Sequence, residues 1–244
     1  MATKTERRRG RDGSEHPDGT LVLMDEAGEP VQIVPPEVCE AVRFMVARMR
    51  LADGTEVPQR LGIIASLAGE GVTTVTRSLG LVLSNDLGRR VCLVDLNWWS
   101  LSPWSNDDVA RGGVAEVIAA GASLDAVLLP TGNPGLTVLP AGATAVSERP
   151  LLANSLELES ILAELGERFD HVLLDLPALG LTSDALTLAE KAGPLVLVVR
   201  HGVTAESDVE ATVDQLGGLP LMGSILNRYA TKLPGFVKRR LPGA

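Results

Sequence analysis

Six runs of apolar residues, too continuous to lie half in water, constrain the fold of this chain more than anything else in it. They are LGIIAS (61–66), RVCLVDL (90–96), LTVLPA (136–141), HVLLDL (171–176), PLVLVVR (194–200) and LMGSILN (221–227). A strand with one wet face alternates apolar and polar residues, whereas one that is apolar throughout is covered on both faces. Between the runs lie stretches with helical spacing, at 73–86, about 114–120, 156–168, 183–191 and 205–216. This alternation predicts an α/β fold, with a mostly parallel central sheet and helices on both faces. The 244 residues, 45% of them hydrophobic, suffice to bury such a core.

Ahead of the first run, Val38, Val42, Met45, Val46 and Met49 recur at helical spacing, and TLVLMDEAGEPVQIV (20–34) reads as a hairpin around Ala27 and Gly28. The expected organisation is a disordered tail with a short hairpin (1–33), one domain (34–229) and a basic C-terminal tail (230–244). A net charge of −9 argues against nucleic-acid binding by the body of the protein. Cys39 and Cys92 read as free thiols in a reducing compartment. No apolar stretch approaches the ~20 residues that a membrane-spanning helix needs. The chain therefore reads as soluble and cytoplasmic.

The first run leads into Gly69, Glu70, Gly71, Val72, Thr73 and Thr74 and then into a helical pattern. That is the second half of a phosphate-cradling loop, G-x-x-x-x-G-K-[ST], with Ser66 in place of the first glycine and Val72 in place of the lysine. The loop amides, the helix dipole and the Thr73 hydroxyl remain, and the point charge does not. The only lysines are Lys4, Lys191, Lys232 and Lys238, none of them near the loop in sequence. Arg77, one turn into the helix, either reaches back to the loop or is a solvated surface charge. Taken alone, Gly-Glu-Gly is equally a tight strand-to-helix turn. Asp95 and Asp175, however, close two apolar runs, and parallel strands deliver such carboxylates to the edge where ligands bind. Each would otherwise serve as a helix N-cap.

Taken in order, these segments resemble the cytoplasmic ATPase module of bacterial tyrosine kinases of the capsular and exopolysaccharide type, within the deviant-loop ATPases that include the Min and Par proteins. ASLAGEGVTTVTRSLGLVLS resembles the loop and its helix, and GRRVCLVDLN the second acidic motif. FDHVLLDLPALGLTSDALTLAEKAGPLVLVVRHGVTAESDV resembles the third acidic motif with the helix and strand after it, and GSILNRY the last strand. The resemblance implies a P-loop NTPase-like fold that takes ATP or ADP with magnesium. Gly69 to Thr74 would cradle phosphate, and Asn227 and Arg228 would border the base. Thr73, Asp95 and Asp175 would hold the metal, with the two aspartates at the reacting end. Glu40 and Arg43, in EVCEAVRFMVARMR, would pack subunits into a homo-oligomer, and a membrane polysaccharide co-polymerase is the implied partner, at the inner face of the membrane.

The departures cluster in the same places. Val72 replaces the lysine, Asn97 the second aspartate of Asp-x-Asp, Leu176 a threonine, and Val46 the helix's second arginine. Tyr229 is the sole tyrosine, so the family's tyrosine-rich tail is missing. The expected function is that of a degenerate relative, a regulatory or assembly subunit in exopolysaccharide or capsule production that uses ATP weakly or not at all. The rivals are an active ATPase or kinase with an arginine in the lysine's role, and a Min- or Par-like positioning protein. Trp98, Trp99 and Trp104 cluster where the family's site opens, and adjacent Trp98 and Trp99 cannot both face inward. They read as an interface or as a plug of the nucleotide cleft. The tail TKLPGFVKRRLPGA reads either as frayed or as a weak membrane- or partner-binding patch.

Overall fold

The computed structural model describes residues 18–52, 56–100 and 111–228. Trp104 and the two terminal tails lie outside them. All six apolar runs form strands: β3 (Arg60–Ala65), β4 (Val91–Asp95), β6 (Leu136–Leu139), β7 (His171–Asp175), β8 (Leu195–Arg200) and β9 (Leu221–Asn227). With the two-residue β5 (Leu129–Pro130) they make a seven-stranded sheet in the order β5-β6-β4-β7-β3-β8-β9. Every pairing is parallel except that of β5 with β6. This is the α/β architecture of the P-loop NTPases.

Period-two alternation splits the buried side chains between the two faces. Leu61, Ile63, Leu93, Leu173, Val196 and Val198 join one core, and Ile64, Cys92, Val94, Val172, Leu174 and Leu197 join the other. On the first face lie α1 (Pro36–Ala52) and α2 (Val72–Leu87). The second face carries α3 (Val114–Ala120), α4 (Leu124–Val127), α5 (Arg149–Asn154), α6 (Leu156–Arg168), α7 (Asp184–Ala192) and α8 (Glu206–Leu216). The hairpin of β1 (Leu21–Met24) and β2 (Pro30–Val34) packs Leu21, Leu23 and Val34 into the same core as α1 and α2. Cys39 and Cys92 are buried free thiols, and burial raises both above the ordinary thiol value.

Two helix-stop signals bound α2. Gly71 and Gly88 flank it in left-handed conformations at φ 105° and 61°, where a side chain would be strained. No side chain caps its N-terminus, so the first amides face the strand ends without a protein acceptor from a capping residue.

Candidate functional site

β3 delivers the chain to the loop at the C-terminal edge of the sheet. Three parts of the fold tie that loop down. The Thr212 hydroxyl of α8 donates to Ser66 Oγ at 2.9 Å, so the serine standing in for the first glycine anchors the loop's start. Glu70 is buried, and its carboxylate accepts the Leu67 amide at 3.0 Å and the Thr204 hydroxyl. Asn227 Nδ2, at the end of β9, donates to the Glu70 carbonyl at 2.8 Å. Glu70 and Asn227, both expected at the ligand, thus hold the loop's shape in this arrangement.

The cleft above α2 has a volume of about 300 Å³. Gly69, Gly71, Val72, Thr73 and Thr74 form its floor; Asn97, Trp99 and Arg228 are among the residues walling it. Arg228 is the single basic residue in that lining, and it is held in the left-handed region at φ 57°. Val72 is 8% exposed and belongs to the core on the α1–α2 side as well as to the cleft. Lys191, the only lysine among the described residues, lies elsewhere: its ammonium meets the Ser155 carbonyl at 3.3 Å and Glu159 at 3.7 Å. It sits near Arg60, which opens β3 and donates to the Lys191 carbonyl, at the edge opposite the loop.

The tryptophans diverge as adjacent residues must. Trp98 is buried, donating its indole N–H to the Ala141 carbonyl at 2.8 Å. Trp99 turns to the cleft wall, edge-on to Trp98 at 6.2 Å, with the Arg149 guanidinium 5.1 Å above its ring. Glu40 and Arg43 bond to each other at 2.7 Å, and Arg43 reaches Asp86 of α2 at 2.6 Å.

Asp95 and Asp175 stand opposite each other at the ends of β4 and β7. Their carboxylates do not line the large cleft. They border a separate cavity of about 20 Å³ together with Thr76 and Arg77. Arg77 thus lies beside these carboxylates rather than free on the surface. Its helical spacing from Thr73, four residues earlier, put it on the same face of α2, and that was the one sequence signal for this cluster. Thr73 borders the cleft with its hydroxyl near enough to Asp175 to favour the ionised carboxylate, and Asp95 Oδ1 accepts the Asn97 amide at 2.9 Å. Of the three residues expected to hold magnesium, Thr73 lines the cleft, and Asp95 and Asp175 line the small cavity. Two buried acceptors lack a hydrogen-bond partner, Asp175 Oδ1 and Asn97 Oδ1.

Burial, and then the neighbouring Asp95, raise the Asp175 carboxyl above the ordinary range; burial also raises Asp95. A folded-state carboxyl that holds its proton more tightly than the unfolded one loses stability as pH climbs from about 4 through its raised value. Asp175→Asn removes that loss and still leaves Arg77 opposite Asp95. It is expected to stabilise the protein at about pH 8 by ~1–3 kcal/mol, and by much less at about pH 5. Urea unfolding in a chelator checks this; equal destabilisation at both pH values would contradict it.

Residues 60–221 match the family described as "Cellulose biosynthesis protein BcsQ". The chain is 29% identical over 173 residues to "Tyrosine-protein kinase CpsD" of Streptococcus agalactiae, covering 69% of this chain and 74% of that one. It is 25% identical over 201 residues to "Tyrosine-protein kinase ptk" of Acinetobacter johnsonii, covering 81% of this chain but only 27% of that longer protein. Among solved structures, the kinase domain of Escherichia coli tyrosine kinase ETK superposes with a TM-score of 0.70 at 22% identity, over 81% of this chain and 78% of that one. The septum site-determining protein MinD of Pyrococcus horikoshii, solved with Mg-ADP, gives a TM-score of 0.55 at 26% identity, over 74% and 76%. The match over residues 60–221, on a P-loop fold with its loop and strand-end aspartates in sequence order, places this chain in the BcsQ family of cellulose biosynthesis proteins.

Proposed function

We propose that the chain is a regulatory or assembly subunit of exopolysaccharide or cellulose production, built on a P-loop ATPase fold, that binds nucleotide weakly and lacks tyrosine kinase activity. The observation that carries this reading is Val72. The cradle over α2 is formed, yet the residue at its centre is an aliphatic side chain packed into the core. A triphosphate carries about four negative charges, and loop amides alone leave most of that uncompensated. Asn97, an amide where the family's second aspartate would stand, cannot accept a proton from an attacking hydroxyl. The subunit works in the cytoplasm as a homo-oligomer beside a membrane polysaccharide co-polymerase, without nucleic acid.

Arg228 favours a second reading, that of an active nucleotide-dependent ATPase. It is the basic residue in the cleft lining, and a charge there can meet phosphate from the rim. Isothermal calorimetry with ATP and ADP, each with and without magnesium, separates the two. The regulatory reading expects a Kd above ~100 µM and no turnover. Micromolar affinity with measurable hydrolysis, both lost in Arg228→Ala, would replace it with the second.

A further inference from the structure

We propose that Arg77 is a resident counter-cation for Asp95 and Asp175, so that the acidic end of the site assembles without magnesium and binds a divalent ion only weakly. The register of β4 and β7 sets the two carboxylates side by side, where like charges repel and a neighbouring cation relieves them. α2 packs its Thr76–Arg77 turn under those strand ends, and these two line one small space with Asp95, Asp175 and the apolar Leu93, Val94 and Val138. At about 20 Å³ that space has room for roughly one water. Magnesium keeps several of its waters when it binds to one or two carboxylates, and this space does not hold them. Burial lowers the Arg77 pKa, and the Asp175 and Asp95 charges act against that shift. One guanidinium supplies one positive charge where magnesium would supply two. A metal arriving from the cleft would meet Arg77's charge behind the carboxylates it needs.

This inference rests on the same cleft being the nucleotide site, but its test uses magnesium alone, so tight ATP binding would sink the functional reading without touching this one. Thermal unfolding is followed for the unaltered protein, Arg77→Ala and Arg77→Lys, in a chelator and in millimolar magnesium, with no nucleotide. The unaltered protein and Arg77→Lys should shift by less than ~1 °C on adding magnesium, because the carboxylates already have their cation. Arg77→Ala, which leaves both carboxylates without it, should melt about 5–15 °C lower in the chelator and recover at least half of that loss in magnesium. A marked rise of the unaltered protein's midpoint in magnesium would overturn the proposal. So would an Arg77→Ala variant that melts normally, or one that melts low and ignores magnesium. If Arg77→Ala does not fold, manganese binding to the unaltered protein, read by electron paramagnetic resonance, decides: occupancy at tens of micromolar overturns the proposal, and its absence upholds it.

Discussion

Val72→Lys is expected to tighten ATP binding by about 30- to 1,000-fold, the equivalent of ~2–4 kcal/mol for one charge-assisted contact in a partly desolvated cleft. The rest of the cradle is in place to receive it. Gly71 turns the chain into α2 with no side-chain cap, and the helix's first residues form the cleft floor. Val72 borders both the core and the cleft, so a lysine stem can follow the wall valine now covers and present its ammonium to solvent or phosphate. The same change removes a well-packed aliphatic group, which costs about 1–2 kcal/mol of stability. Affinity and stability should therefore move in opposite directions. Calorimetry and urea unfolding on one preparation read both. Val72→Ile, which adds volume without charge, serves as the control and should leave affinity unchanged. A lysine variant that binds no better than the original would mean that the loop amides are not aimed at phosphate, and the proposed function would lose its basis.

How much of this was legible beforehand differs between strand and site. Strands covered on both faces announce themselves through unbroken apolar runs, VLL at 172–174 and LVLV at 195–198, all of them buried. The expected helix at 73–86 falls within one residue of α2 at each end, since Gly71 and Gly88 punctuate it in the sequence. β5 was invisible: two residues inside LDAVLLPTG carry no period. α5 was equally hidden, because Pro150 at its start reads as a breaker and its Leu151 is exposed. In the site, the residue types were readable but their partners were not. Glu70 looks like a loop carboxylate beside a ligand, yet its oxygens are taken by Leu67 and by Thr204, 134 residues along the chain. Arg77 shows its face of the helix through its spacing from Thr73, whereas the carboxylates it meets come from two strands that only the sheet order brings together. Local chemistry is written in the sequence at short range. Pairing across the sheet is a property of the packed fold.

The tie between loop and last strand yields the second large effect. Gly71→Ala is expected to lower stability by ~1.5–3.5 kcal/mol, a fall of about 3–14 °C in the melting midpoint. Two terms add. Gly71 sits at φ 105°, where a side chain costs about 1–2 kcal/mol in backbone strain. Its new Cβ would also lie 2.2 Å from Asn227 Nδ2. That nitrogen belongs to a side chain that can swing away, so the loss is its hydrogen bond to the Glu70 carbonyl, about 0.5–1.5 kcal/mol, with the loop's closure on β9. Gly69→Ala separates the terms. At φ 81° it carries comparable strain, but its Cβ would meet nothing within 4 Å, so its cost should stop at the backbone term. Adding Asn227→Ala to Gly71→Ala should then cost almost nothing further, whereas Asn227→Ala alone destabilises by the value of its bond. Such non-additivity is the mark of a shared contact. If the two substitutions instead add fully, Asn227 is not the side chain that Gly71 makes room for, and the loop is held by Glu70 and Thr204 alone.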